Sequence, residues 1–332
     1  MPRLIQNTLK PLYEMSKFRG IDNLATDDLR LEPGFVRVAE NVDIDSEMMI
    51  RRRKGVLLQL VSGNAHSGWS NEDKLCFLVL NGDLVQLNTD WTTTLIFPNV
   101  GPSHMNFFQL GERVFFSNLI KNGYIQDGVA HAFPANVRTD RQRMVGGELI
   151  EYHPPRLYVA QGDIIYRSVA ANPFEMDIKR DFIYLGGPIT MIKGVNGPRG
   201  ENGIYVSAGG KCAYLSDLEP SLEKAKYKPL LDVPALLGSS VSIERYDLGK
   251  GLEGKVCIFG TCIGMFMGLP GGFVKDLTSE HYAITDIEEG FSFIKYHMGY
   301  RQYVFVGQAP AGVGLINLNA VDLPDTAAIT AH

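Results

Sequence analysis

Cysteine is scarce: the four residues Cys76, Cys212, Cys257 and Cys262 are scattered through 332 positions with no His/Cys zinc pattern around them. That excludes a disulfide framework and leaves buried thiols of a cytoplasmically made protein as the expectation. Tryptophan is scarcer still, at Trp69 and Trp91 alone. No charge of one sign dominates, since 32 Lys and Arg stand against 37 Asp and Glu for a net charge of -5. A surface that grips nucleic-acid phosphate along its whole length is therefore not expected. Clean helical spacing of apolar residues over a dozen positions is almost missing, which argues against a helical protein. The opening MPRLIQNTLKPLYEMSKFRG has no apolar stretch followed by a small-residue cleavage site, so no secretion signal is expected. One long uncharged run exists, residues 256 to 274 (VCIFGTCIGMFMGLPGGFV), with Gly260, Gly264 and Gly268 at the spacing of a helix-dimerisation face. Five glycines and Pro270 within it suit two short strands better than a membrane helix, and no membrane insertion is expected.

Hydrophobic residues make up 45% of the chain, enough for a substantial core, so wholesale disorder is excluded. Glycine, 35 residues, is spread without a period of three and reads as many turns. Short runs rich in Val, Ile, Phe and Tyr recur between turn residues, so the chain is all-β. The clearest unit is KLCFLVLNGDLVQLN (74 to 88), two strands around a turn at Asn81-Gly82-Asp83. ERVFFSNLIKNGYIQ (112 to 126) repeats it, with the turn placed near Asn122-Gly123. With Leu75, Val114, Leu157, Ile204, Val256 and Tyr303 as markers, the steps are 39, 43, 47, 52 and 47 residues. Hairpin units of this length predict a β-propeller of about six small blades, because one small sheet cannot bury both faces alone. A β-sandwich or barrel is the alternative. Within the core, PSLEKAKYKPLLDVPALL (220 to 237) is the candidate for a short helix between Pro220 and Pro234.

The expected organisation is an N-terminal arm with lead-in strand at 1–45, a propeller-like core at 46–308 and a C-terminal arm at 309–332. The arms are polar or small in composition and are expected to order against a partner. Asn41-Val42-Asp43-Ile44-Asp45 alternates as a strand does, and Arg51, Arg52, Arg53 and Lys54 follow as a basic cluster. That cluster suits contact with an acidic neighbouring subunit or a DNA backbone; a solvated edge strand whose charges block aggregation is the plainer reading.

The segment from Lys17 to Gly55 carries a resemblance. Its Gly20-Ile21-Asp22-Asn23 start, its Pro33-Gly34 step, its strand with Asn41, Asp43 and Asp45, and its Ile-Arg-Arg-Arg-Lys-Gly exit resemble the opening of β-propeller virion proteins of short-tailed phages. These are tail hub, nozzle or DNA-stabilisation proteins. The resemblance implies a structural protein of the virion tail, assembled in the bacterial cytoplasm with copies of itself in a ring, of six by the family pattern. Such a ring would line the DNA ejection conduit and join the head-to-tail connector to distal tail or fibre proteins. DNA would pass without specific binding. Cyclic symmetry demands heterologous contacts, for which the arms at 1–45 and 309–332 are candidates, with Arg51, Arg52, Arg53 and Lys54 as subunit-interface or DNA-facing candidates. A carbohydrate-binding or carbohydrate-cleaving propeller used in receptor recognition is the alternative, with Trp69 and Trp91 as stacking rings.

Motifs for enzymatic chemistry are missing. GxxxxGK[ST], HExxH, GxSxG and EF-hand loops do not occur, and no catalytic residue, metal ligand or cofactor is expected. The glycine-rich 194 to 200 reads as a loop, and Asp286, Glu288 and Glu289 as a solvated turn rather than a glycosidase pair. Cys257 and Cys262 fall across an expected hairpin turn. None of the seven histidines has a close partner in sequence, so any site formed by them must assemble across blades.

Overall fold

The computed structural model describes residues 63–71, 75–135, 138–244, 254–279, 287–297 and 300–308, with short segments at 20–21, 24, 32, 34–36, 42–44, 50–52, 322–323 and 327–331. The compact part is a succession of small four-stranded units, antiparallel in all but the last. The first holds Ala65–Ser70, Cys76–Leu80, Asp83–Leu87 and Thr93–Phe97. The second holds Asn106–Leu110, Arg113–Ser117, Asn122–Gln126 and Val129–Ala132. The third holds Leu149–His153, Arg156–Gln161, Ile164–Arg167 and Phe182–Tyr184. The fourth, from Ile189–Asn196 to Lys226–Leu231, and the fifth, from Val241–Glu244 to Phe273–Asp276, fuse into one 8-stranded sheet through the pairing of Asn196 with Lys255. In the sixth, Glu289–His297 pairs with Tyr300–Gln308, and Ala327–Ala331 adds to Tyr300–Gln308 in parallel. This last strand lies within the stretch expected as a C-terminal arm.

Why the sheets stack follows from their second strands, each of which carries an unbroken apolar run: CFLVL, VFF, LYVA, IYV, VCIF and YVFV. In Arg113–Ser117, Val114 and Phe116 point back to Phe77, Val79 and Leu84 of the first sheet, while Phe115 points forward to Ile150, Leu157 and Val159 of the third. Alternation then sends Tyr158 and Ala160 toward Ile204 and Val206 of the fourth sheet. Tyr205 faces Cys257 and Phe259 of the fifth, whose Val256 and Ile258 meet Tyr303 and Phe305 of the sixth. A strand buried on both faces must lie between two other sheets. Repeating that condition around the chain gives a β-propeller-type architecture, and from the second sheet to the sixth the first strands of successive sheets lie against one another. All six sequence markers fall on a second strand or, for Leu75, one residue before it. Among the described residues no cluster joins the sixth sheet to the first. Leu78, Val85 and Val304, on the outward faces of those two sheets, are nevertheless buried.

Four local expectations are settled by the packing. The first hairpin turns at Asn81 and Gly82, both at positive φ (52° and 86°), as expected. The second does not turn at Asn122-Gly123; it turns at 118–121, where the Asn118 side chain accepts from the Ile120 and Lys121 amides (2.9 and 2.7 Å). Gly123 lies in the strand because a Cβ there would strike Phe116 and the His131 carbonyl. The helix expected in 220 to 237 is a single 3-10 turn, Leu222–Lys224, and Lys226–Leu231 is the fourth sheet's outer strand. Pairing with Lys211–Ser216 overrides local propensity there, and Pro229 is tolerated on an edge. The uncharged run 256 to 274 forms strands, with Gly260 under the Phe305 ring and Gly268 under Tyr205. Its register sets Cys257 opposite Gly268 rather than Cys262, and both thiols are free. No described helix is long and apolar enough to cross a membrane.

Candidate functional site

The lead-in segment forms two small ladders of its own. Gly20–Ile21 pairs in parallel with Phe35–Val36. Gly34 supplies the turn before Phe35–Val36: it takes φ 96°, and the Phe35 amide donates to the Glu32 carbonyl at 3.1 Å. Val42–Ile44 pairs with Ile50–Arg52 antiparallel, which sets Asp43 directly opposite Arg51 and Arg52 opposite Val42. The backbone thus brings the acidic strand against the start of the basic run, the cross-strand placement that favours opposite charges. Asn23, Asn41, Asp45, Arg53 and Lys54 lie outside the described residues. Among the described residues neither ladder belongs to any of the larger sheets.

Within the core, a carboxylate is held where three sheets meet. Glu151 on the third sheet's first strand accepts from the Lys193 ammonium (3.2 Å), the Lys255 ammonium (2.8 Å) and the Gly194 amide (3.3 Å). Burial would raise its carboxyl, yet the two ammonium groups hold it down at about 2. Such a group is no proton donor at neutral pH; it works as an electrostatic tie between sheets. Beside it, His153 donates from Nε2 to the Asn202 side-chain oxygen, and burial keeps its imidazole below the ordinary range. Its Nδ1 packs against Gly194, where a Cβ would collide with the ring.

Two further polar junctions were not foreseen. Ser67, at φ 56°, receives the Met105 amide at 2.9 Å and lies within 2.8 Å of His66 Nδ1 and 3.4 Å of His104 Nδ1. Histidines 38 positions apart thus meet across the first two sheets, as any histidine site had to. Arg167 is completely buried and donates to Asp181 (2.7 Å), to the Pro220 carbonyl (2.7 Å) and to the Leu218 carbonyl. Arg156 reaches Glu219 and the Ser168 carbonyl from the same region. The only sequence signal for these ties was a lone charge inside an apolar strand, as in LIEYH, ITMIKG and IIYR.

The two tryptophans part company. Trp69 stacks on Phe77 at 6.0 Å and lies 6.4 Å from Phe107, so it packs the first two sheets together. Trp91 is 53% exposed on an outer turn. Glu288 and Glu289 are exposed, while Asp286 lies outside the described residues. The glycine-rich stretch is the end of a strand and the turn after it, closed by the Gly197 amide on the Glu201 carbonyl (2.8 Å). Among the described residues no group of three or more His, Cys, Asp or Glu side chains is placed to hold a metal ion.

No protein-family model matches the chain, and no curated protein matches it. Solved structures similar to it include the extracellular domain of a one-component system from B. thetaiotaomicron, with 11% identity over 80% of this chain and 34% of that one and a TM-score of 0.45. Virginiamycin B lyase from Staphylococcus aureus has 12% identity over 64% and 69% of the two chains, with a TM-score of 0.41. The WD40 domain of SCAP from fission yeast has 11% identity over 76% and 65%, with a TM-score of 0.41. The chain spans about a third of the length of the first of these. At such scores the likeness adds nothing to the fold, which rests on the chain's own sheets, and the lyase's activity says nothing of this chain.

Proposed function

We propose that the chain is a structural subunit of a bacteriophage tail, a hub or nozzle component that forms a ring with copies of itself around the DNA ejection conduit. In this reading it joins the head-to-tail connector to distal tail parts. The observation that supports it most is the lead-in: the segment resembling short-tailed phage proteins holds two short ladders that belong to no blade. Two-stranded ribbons are marginal on their own in water and need a surface to lie on. A neighbouring subunit supplies that surface in a ring, and heterologous contact between different edges is what cyclic symmetry requires. A net charge of -5 suits a conduit that lets a polyanion pass without trapping it. The carbohydrate reading has less to stand on, because Trp69 is committed to core packing and Trp91 is alone on an outer turn.

Removal of residues 1 to 45 tests the proposal. The truncated chain is expected to keep its far-ultraviolet dichroism and thermal unfolding while losing ring formation and incorporation into particles. Rings of normal size from the truncated chain would contradict the role given to the lead-in; loss of the fold would make the segment part of a blade.

A further inference from the structure

Between the second and third sheets, at the tip of the hairpin that joins Asn106–Leu110 to Arg113–Ser117, lies a cavity of about 350 Å3. Its lining combines apolar side chains, Leu110, Phe115, Ala171 and Pro173, with the polar Glu112, Arg113 and Gln126. The guanidinium of Arg113 is fixed from two directions. One face rests over the Tyr124 ring at 4.9 Å, and Nε donates to the Gln126 side-chain oxygen at 2.8 Å. Tyr124 is itself stacked on His131 at 5.1 Å, which places a second ring behind the platform beneath the cation. Among the described residues no carboxylate pairs with Arg113, and its two terminal nitrogens have no protein acceptor. Glu112, next in the chain, lines the same cavity but is exposed and forms no ion pair with it.

A guanidinium held in place, with its terminal nitrogens unused and an apolar wall beside it, has the form that receives a carboxylate carrying a hydrocarbon body. We propose that this cavity is a binding site for an apolar carboxylic acid, whose carboxylate is taken by the Arg113 terminal nitrogens and whose body lies on Leu110, Phe115 and Pro173. The volume is at the low end of small-ligand sites, about 300 to 1,000 Å3, and fits one ring or one short chain. The same chemistry is offered by a free acid and by a Glu side chain next to an apolar residue in a neighbouring protein.

Calorimetric titration of the full chain with 3-phenylpropionate, with 3-phenylpropionamide as the neutral counterpart, tests the site. The acid is expected to bind at least tenfold more tightly than the amide, and Arg113→Gln to weaken acid binding at least tenfold with unchanged thermal unfolding. Glu112→Gln, which removes a like charge from the rim, is expected to tighten it. Equal binding of acid and amide, full binding by Arg113→Gln, or no binding at about 10 mM acid would overturn the proposal. If Arg113→Gln unfolds, the ratio of acid to amide in the unaltered chain still decides. An end-blocked Phe-Glu dipeptide that binds tighter than 3-phenylpropionate makes the source a neighbouring protein; the reverse order makes it a free acid.

Discussion

The blades and the lead-in are built on opposite terms. Each interior blade buries both faces of its second strand, so Phe115 and Val114 are anchored on different neighbours and neither sheet can leave without exposing the other. The lead-in ladders have two and three paired positions and share no strand with the blades. Stability therefore resides in the series of blades, and the segment with the least means to stabilise itself is the one assigned to assembly. Substitutions that strike one side of this division should leave the other untouched.

The largest effect on the blade side is expected at Arg167. Its replacement by Met leaves Asp181 and the Leu218 and Pro220 carbonyls without their buried donor. A loss of about 3 to 5 kcal/mol in denaturant unfolding is expected, the usual result of breaking a buried ion pair from one side. A loss under about 1 kcal/mol would mean that the loop at 217–221 is held by packing alone.

Glu151 comes next and has a pH signature. Its carboxyl stands at about 2 in the folded chain and about 4.3 when unfolded, so the unfolded state binds the proton first. The stabilisation is complete above about pH 4.3 and fades as pH falls toward 2, with a magnitude of about 3 kcal/mol. Glu151→Gln should lower stability at pH 7 by a similar amount and flatten this acid limb. Parallel acid limbs in the two proteins would remove Glu151 from the tie between the third, fourth and fifth sheets.

On the lead-in side the effects on folding should be slight. Arg51→Glu places two acids opposite each other at the Asp43 position and should change unfolding by under about 1 kcal/mol. Ring formation should nevertheless weaken, and Asp43→Lys in the same chain should restore it. Unchanged assembly by Arg51→Glu would detach the basic run from subunit contact.

The period of the blades was legible because a strand covered on both sides must be apolar throughout, and VFF, LYVA, IYV and VCIF are such runs. The turn at 118–121 was misjudged because Asn-Gly usually turns a hairpin; here Gly123 answers to the crowding of Phe116 instead. The strand Lys226–Leu231 was hidden because its polar alternation marks an edge exposed to water and its pairing is tertiary. The polar ties could not be read from spacing: Glu151 meets Lys193 and Lys255 from 42 and 104 positions away. What sequence offered was only the oddity of a charge within a buried strand. The lead-in is the reverse case, with its strand and basic run plain in sequence and, in the function proposed for it, its contacts made to other molecules.

The central claim, a ring-forming tail subunit, is tested most directly by the mass of the purified full-length chain in solution together with its image by electron microscopy. A closed ring of several copies with an open bore wider than a DNA duplex, about 20 Å across, is the expected result. A monomer that stays monomeric at high concentration and is absent from tail particles would contradict it.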